Sequence, residues 1–375
     1  MTKPQPPVMP KLEEHFDVFE HLGSGQFAEV CRAARKVEIP SMPSAVAIKI
    51  IDKSKVDSMQ DLQREIEIMQ MIGHHPHCVQ LFEVFQSPSK LHLVLELVVG
   101  GTLFDRLVAC GSFTEAEASQ SLKPIAKALA YLHDDLSIVH RDIKPENILF
   151  STPDQNPDYL KLADFGTAVN FDRHHAALRI ATGTPGYISP ELLEAGKTGA
   201  EISSVQTTAL DMWAVGVVLY ILLCGFPPFE YDEDDGDQGM ELLYAQIRSS
   251  DYSFPSPEWD GVSRAGGAVA LVRALMEKDV PRRLSASQVL LHPWMQAPLS
   301  GTSDTPRTHG MAMHRKAAMR KFRKAVRGVI AVQRFAPARQ WGDEAEPDTD
   351  EPQAEPAAQI LPATVAPPIA VSVPG

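Results

Sequence analysis

The chain has 375 residues, 22% charged and 44% hydrophobic, with a formal net charge of −13 at pH 7. This is ordinary globular composition with enough length for one large core or two lobes, and it excludes a fibrous or wholly disordered chain. The acidic balance argues against nucleic-acid binding, and Cys31, Cys78, Cys110 and Cys224, scattered without CxxC spacing, argue against a zinc site and for reduced intracellular thiols.

In chain order, residues 1–12 are Pro-rich and expected to be a disordered tail, with no apolar stretch of the kind a signal peptide needs. The runs "FDVFEHLG", "AEVCRAAR" and "AVAIKII" then predict a strand-rich region to about residue 97, interrupted by one helix near 58–72. Beyond Gly100 the periodicity becomes helical, with short strands around 147–165. The apolar run "MWAVGVVLYILLCGFPPF" reads as a buried helix, too short before its Gly-Phe-Pro-Pro to span a bilayer.

Chemistry concentrates in a few motifs. "GSGQFAEV", 23–30, is a glycine-rich turn between strands, where Gly23 and Gly25 let backbone amides approach a phosphate closely. Lys49 closes "AVAIK" nineteen residues after Val30. In the following helix Leu62, Ile66 and Met69 mark a buried stripe with Glu65 at its edge, whereas Glu67 points away. An inward carboxylate needs a partner, and Lys49 is the natural one.

"VHRDIKPENILF", 139–150, sets Asp142, Lys144 and Asn147 within six residues as a base, a cation and an amide oxygen. Such a loop can orient a hydroxyl, neutralise a transferring phosphoryl group and hold a metal ion. Asp164 follows in "KLADFGTA", a hard oxygen ligand of the kind Mg²⁺ takes.

The ordered set of glycine loop, "VAIK", helix glutamate, "HRDIKPEN", "DFG" and "SPE" resembles the eukaryotic protein kinase family over roughly residues 16–294. "GFPPF", "FPSPEWDGVS" and "HPWM" look like its calcium/calmodulin-dependent group. The resemblance implies an α+β, two-lobed protein kinase fold over 13–294, with an N-lobe antiparallel sheet plus one helix at 13–97 and a mainly helical C-lobe at 98–294. It implies ATP and Mg²⁺ as cofactors, with Gly23 and Gly25 over the phosphates and Lys49 on the α/β-phosphates against Glu65. Asp142 is then the base, Lys144 the γ-phosphate contact, and Asn147 with Asp164 the metal ligands. Leu22, Val30, Ala47, Leu95 and Leu149 match the adenine pocket, and Glu96 and Val98 the hinge. A non-catalytic kinase-fold scaffold is expected to lose Lys49, Asp142, Asn147 or Asp164, and all four are present. Lys144 and "GTPGYISPE" are the serine/threonine form, with Thr184 bridging towards Asp142 and Lys144 and Glu146 supporting the acceptor site.

Several positions depart from the relatives' pattern, beginning with Ala28 in place of the third glycine of the loop, a small residue that still permits a close turn. Thr102 stands where the group commonly has a glutamate that meets ribose and a substrate arginine, so a strict basic requirement three residues before the acceptor is not expected. Ile180 stands where some relatives carry a phosphorylated threonine; Thr182 is the nearest hydroxyl, and activity without loop phosphorylation is the expectation. Asp211 and Arg283 match fold anchors, for the "HRD" backbone and Glu191 respectively. "HHPH", 74–77, reads as solvated histidines rather than a metal site, and "YDEDDGDQGMELL", 231–243, fails the EF-hand pattern.

Residues 305–342 hold ten Lys/Arg and no acid, and 343–375 hold seven acids and no Lys/Arg. Within the basic run Phe322, Val326, Val329 and Ile330 form one apolar stripe of a helix, and Phe335 lies thirteen residues beyond Phe322, about 20 Å along it and over a different side. Phe322, Val326, Val329 and Phe335 fit the 1-5-8-14 pattern of a calmodulin target, a helix held in apolar grooves. Its position after the kinase-like region implies an autoinhibitory and calmodulin-binding segment at 300–339, followed by a disordered acidic Pro/Ala-rich tail at 340–375. Membrane binding or targeting is the alternative use of such a helix. Ala318 stands near where the multifunctional relatives carry an autophosphorylated threonine, so no such switch is expected. The whole reads as a serine/threonine kinase released by Ca²⁺/calmodulin, acting on protein substrates, cytoplasmic or nuclear, with no transmembrane segment.

Overall fold

The computed structural model describes residues 11–24, 28–39, 41–56, 58–173, 183–200, 202, 204–230 and 236–297. Gly25, Ile180, Thr182, the acids of 231–235, Ala318 and the predicted segments 300–339 and 340–375, with Phe322, Val326, Val329 and Phe335, lie outside the described residues.

The chain enters through a short helix, α1 (Leu12–His15), then strands β1 (Phe16–Ser24), β2 (Ala28–Arg35) and β3 (Ala45–Asp52), helix α2 (Met59–Ile72), and strands β4 (Leu81–Gln86) and β5 (Lys90–Glu96). The strands make one antiparallel sheet in the order β1-β2-β3-β5-β4. Alternation along each strand gives the sheet two apolar faces. Val46, Ile48 and Val94 pack with Phe16, Ala33 and Phe85 on one side, while Ile51, Leu91 and Leu93 meet Leu62 and Ile66 of α2 on the other. Leu12, expected in the tail, is buried in the first cluster, so the folded part starts one residue before 13. Helix α2 starts where the Ser58 hydroxyl accepts a bond from Asp61 N at 3.2 Å, and stops at Gly73, whose φ of +56° a side chain rarely tolerates.

The second half contains α3 (Leu103–Cys110), α4 (Glu115–Ala130), short pairs β6 (Ile138–Val139) with β9 (Val169–Asn170) and β7 (Ile148–Phe150) with β8 (Leu160–Leu162), then α5 (Pro190–Thr198), α6 (Ser204–Cys224), α7 (Gly236–Ser249), α8 (Ala268–Leu275), α9 (Ala286–Leu290) and α10 (Pro293–Gln296). Helix α6 is the axis of this lobe. Its apolar stretch Gln206–Cys224 spans 19 residues, longer than the sequence suggested and long enough for a bilayer, yet it is 94% buried inside the domain. It is apolar all round because neighbours cover it on every side. At Gly216 a Cβ would stand 2.6 Å from Met276 Cγ and 2.9 Å from Leu275 Cβ, so glycine is what lets α8 come this close.

Two minor expectations need correction. Of the histidine run His74 is exposed, while His75 and His77 are only partly so. His75 stacks on Tyr131 with ring centroids 4.6 Å apart, and burial pushes its pKa down to about 4; His77 Nδ1 lies 3.1 Å from Leu160 O. These rings are packing elements at the end of α2, and no group of His, Cys, Asp and Glu suited to a metal occurs among the described residues. The acidic stretch 231–243 reads as a solvated loop, but from Gly236 onward it is the start of α7.

Arg283 locks α5, α6 and the end of α8 together. Its guanidinium grips Glu191 in a fork at 2.6 and 3.0 Å, donates to Ala209 O and Glu277 O at 2.8 Å each, and lies 5.1 Å from the Trp213 ring centre. Removing the cation leaves Glu191 buried and unpaired, so Arg283→Met lowers unfolding stability by about 3–5 kcal/mol in denaturant titrations. The double variant Arg283→Met/Glu191→Leu recovers part of the loss, because no lone charge then remains in the interior.

Candidate active site

Strand alternation aims Lys49 into the cleft between the lobes. Ala47, Lys49 and Ile51 share one sheet face, and cross-strand pairing sets Ala47 against Leu95 and Lys49 against Leu93. The face opposite that of Ile48 is the one that α2 covers, so Glu65 meets Lys49 there, Oε1 to Nζ 2.6 Å. Glu65 is buried, as the helical stripe required, and Glu67 is exposed. Asp164 Oδ1 lies 3.9 Å from the same ammonium. Burial works to lower the Lys49 pKa, but the Glu65 and Asp164 carboxylates outweigh it and hold it above the ordinary lysine value. The Asp164 side chain is 57% exposed, so its partial removal from water costs little, and Lys49, His140 and Lys144 keep its pKa below the usual carboxylate range. Both groups are therefore charged at neutral pH, facing each other across the cleft.

The catalytic-loop residues are held from below. Asp211 of α6, 1% exposed, accepts from His140 N and Arg141 N, one on each oxygen, at 2.8 Å. His133 Nε2 lies 2.8 Å from the same carboxylate, delivered by a π-helical turn, Tyr131–Asp135, that continues α4. Asp211 thus has three donors around it, and the backbone it grips is strained: Arg141 has φ +68°. Arg141 Nε donates to Thr167 O at 2.7 Å, and Thr167 Oγ1 to His140 O at 2.9 Å, tying the segment after Asp164 to the loop.

Above this anchor Asp142, Lys144, Asn147 and Thr184 converge, all buried. Lys144 Nζ lies 2.7 Å from Asp142 Oδ2, and Asn147 Nδ2 donates to the same oxygen at 2.9 Å. The Thr184 hydroxyl donates to Asp142 Oδ1 at 2.8 Å and accepts from Lys144 at 2.8 Å. Ala163 N donates to Asn147 O at 2.9 Å, which fixes Asp164 beside this group, and Asp164 itself has φ +61°. Thr184 thus bridges Asp142 and Lys144.

The remaining predicted positions lie on β1, β2, β3, β5, β7 and the segment after β5. Gly23 pairs with Val30 across β1 and β2, and Leu22 precedes it, half exposed. Glu96 ends β5. The chain that follows returns over β7: Gly100 N donates to Phe150 O at 2.8 Å, and Thr102 bridges Leu149.

A family profile described as protein kinase domain matches residues 16–295. The chain belongs to the protein kinase family, in its calcium/calmodulin-dependent group. It is 37% identical over 328 residues to the calcium/calmodulin-dependent protein kinase type 1 of Macrobrachium nipponense, covering 87% of this chain and 88% of that one. It is 41% identical over 281 residues to the human type 1B enzyme, covering 75% of each, and 38% identical over 328 residues to the human type IV enzyme, covering 87% of this chain and 64% of that one. This kinase is a serine/threonine protein kinase.

Two residues around the site, His133 and Asp105, escape a reading of sequence alone. His133 sits in an apolar stretch and looks like filler until the π-turn rotates it onto Asp211. Asp105 is drawn back to Thr102 in a reciprocal cap, its Oδ2 accepting from Thr102 N at 3.1 Å and from Thr102 Oγ1 at 2.7 Å; the [ST]-x-x-[DE] spacing was the available signal. Glu146, named from the sequence as acceptor-site support, lies near enough to Asp142 to feel its charge, and both its carboxylate oxygens are buried without a hydrogen-bond partner.

Burial, with Asp142 and Asp105 adding to it, outweighs the Glu146 backbone amide and Lys144 and pushes the Glu146 pKa from 4.5 up to about 7. A raised acid pKa means the folded state holds this proton more tightly than the unfolded chain. Stability is therefore lost as pH rises from about 4.5 through 7, by an amount that Glu146→Gln removes. In thermal unfolding from pH 5.5 to 8.5, the variant gains on the parent as pH rises, reaching about 2–3 kcal/mol at the alkaline end.

Proposed function

We propose that this kinase transfers the γ-phosphate of ATP to serine or threonine hydroxyls of protein substrates, and that its C-terminal basic helix holds it inactive until Ca²⁺/calmodulin removes that helix. The observation that carries the catalytic half is the Asp142 carboxylate, held on both oxygens by Lys144, Asn147 and Thr184 in a buried pocket. Held in this way, Asp142 orients an incoming hydroxyl and accepts its proton, and Lys144 balances charge on the group being transferred. Lys49, fixed by Glu65, receives the α/β-phosphates, with Gly23 and Gly25 above them. Leu22, Val30, Ala47, Leu95 and Leu149 enclose the adenine, and the backbone of Glu96 and Val98 meets its edge.

Asn147 and Asp164 suit Mg²⁺: one is an amide and the other a carboxylate kept ionised, both hard oxygen donors at the mouth of the phosphate site. When bound, the ion screens phosphate charge and orients the transferring group. Thr184, rather than a deeper pocket, closes the acceptor side, which suits a short aliphatic hydroxyl. Glu146 adds negative character next to the acceptor, while Thr102 and its capping partner Asp105 leave no glutamate at the ribose mouth; basic residues in the substrate are then favoured without a strict requirement three residues before the acceptor.

The regulatory half rests on the basic segment. The match to the Macrobrachium nipponense relative covers 87% of the chain, whereas the kinase profile ends at 295 and only fifteen residues precede its start. Likeness to a protein named calcium/calmodulin-dependent therefore runs past the catalytic domain into the basic run. There Phe322, Val326, Val329 and Phe335 keep the spacing of a helix for two apolar grooves. Calmodulin, by taking the released helix, shifts the balance towards the open enzyme.

Phosphate transfer to a basic peptide, measured with calcium, calmodulin, both and neither, tests this directly. Activity requires both, rises more than tenfold over calmodulin alone, and vanishes in Lys49→Met. Removing residues after 298 gives full activity without calcium. Equal activity in all four mixtures, or none gained on truncation, contradicts the regulatory half; a membrane or targeting use of the helix then takes its place.

A further inference from the structure

Strand β8, which leads into Asp164, carries a lysine that the catalytic scheme leaves unused. Lys161 Nζ lies 3.0 Å from Glu96 Oε1 and donates to Pro76 O at 2.9 Å. One ammonium thereby joins three pieces: the strand before Asp164, the end of β5 where the chain passes between lobes, and the turn after α2. Both side chains are largely shielded, 11% and 25% exposed, so the pair is protected from water and salt in a way that surface pairs are not.

Backbone bonds already fasten the turn after α2 to β8. Leu162 N donates to His77 O at 2.8 Å, Val79 N to Leu162 O at 2.9 Å, and Cys78 bridges Leu162 in parallel. Glu96 reaches that turn separately, through Glu96 N to Gln80 O at 2.9 Å and the longer Gln80 N to Glu96 Oε2 at 3.4 Å. What Lys161 adds is a direct charged tie from the hinge residue to β8. Its position also matters for the nucleotide. Lys161 pairs across strands with Leu149, so the two side chains share a face, and Leu149 in turn bridges Thr102. The tie is closed in the same structure in which Lys49 and Glu65 are 2.6 Å apart, so it belongs to the assembled arrangement of the cleft.

We infer that Lys161 is a positioning residue that sets the hinge for the adenine end of ATP, acting through Glu96 rather than touching the nucleotide. This rests on the proposed use of the Glu96 and Val98 backbone by adenine. Without the ammonium, Glu96 keeps a half-buried charge with no counter-ion and turns towards water, taking the hinge backbone with it. The phosphate end, held by Lys49 and Asp164, is left in place, so binding weakens while the transfer step is spared.

Steady-state kinetics on the full chain saturated with Ca²⁺/calmodulin, or on the chain ending at 298 if that alone is active, separate the outcomes. Lys161→Met raises KM for ATP about five- to tenfold, with kcat and the peptide KM within about twofold of the parent. Lys161→Arg, which still reaches Glu96, restores the parent KM, and Glu96→Gln gives a rise of similar size that Lys161→Met does not deepen. Circular dichroism and the unfolding midpoint confirm that each variant is folded. An unchanged KM for ATP in folded Lys161→Met and Glu96→Gln overturns the inference, and so does a rise in kcat, which makes the tie a restraint instead of a support. A parent protein that transfers no phosphate from ATP overturns the proposed function itself, a result distinct from either.

Discussion

A single buried carboxylate does most to decide where the chemistry of this protein can occur. Asp211 sits on the central helix of the helical lobe and offers one oxygen to each of two successive backbone amides, His140 and Arg141. A carboxylate is one of few side chains with two acceptors set apart for such a task. The loop it grips departs from comfortable backbone geometry at Arg141, so without this grip the strained turn has no reason to persist. Asp142, the next residue, inherits its position from the anchor. Lys144, Asn147 and Thr184 then close around Asp142, and the bond from Ala163 to Asn147 carries the same frame to Asp164.

The upper lobe contributes a different constraint. Its sheet has two apolar faces, and a lysine on the face covered by α2 is tolerated only because Glu65 and Asp164 compensate the loss of water. Lys49 therefore reports on three elements at once: a strand, a helix and the segment leading from β8. Lobe geometry and charge compensation are the same fact seen twice, which is why the cleft is both polar and well defined. Glu146 runs against this economy, since it is a carboxylate near the acceptor side with no bond to its buried oxygens. Such a group costs stability when ionised and is retained, in the proposed reading, for what it meets in a substrate.

Much of the site was legible in the amino-acid sequence because short spacings become short distances in strands, helices and tight loops. Asp142, Lys144 and Asn147 are within six residues, so any compact loop brings them together. Glu65 followed from a helical stripe, and Lys49 from its need for a partner. What sequence did not reveal depends on distant chain segments or on local deviations from ideal geometry. His133 reaches Asp211 only through a π-turn. Lys161 meets Glu96 across 65 positions, and no periodicity announces that pairing. His75 and His77 looked like surface histidines because their cover, Tyr131 and β8, comes from the other lobe's part of the chain. Helix α6 was read as too short for a bilayer, and Leu12 as tail, because neither its length nor its burial is visible until its neighbours are placed.

The anchoring role of Asp211 is the claim on which the site geometry depends. Asparagine keeps the shape of that side chain but offers one acceptor oxygen in place of two, so one of the His140 and Arg141 amides loses its bond. Measured on folded Asp211→Asn with saturating ATP and peptide, kcat falls about a hundredfold or more while KM for ATP, which the proposed function assigns mainly to the upper lobe and hinge, moves little. A folded variant that keeps the parent kcat contradicts the account.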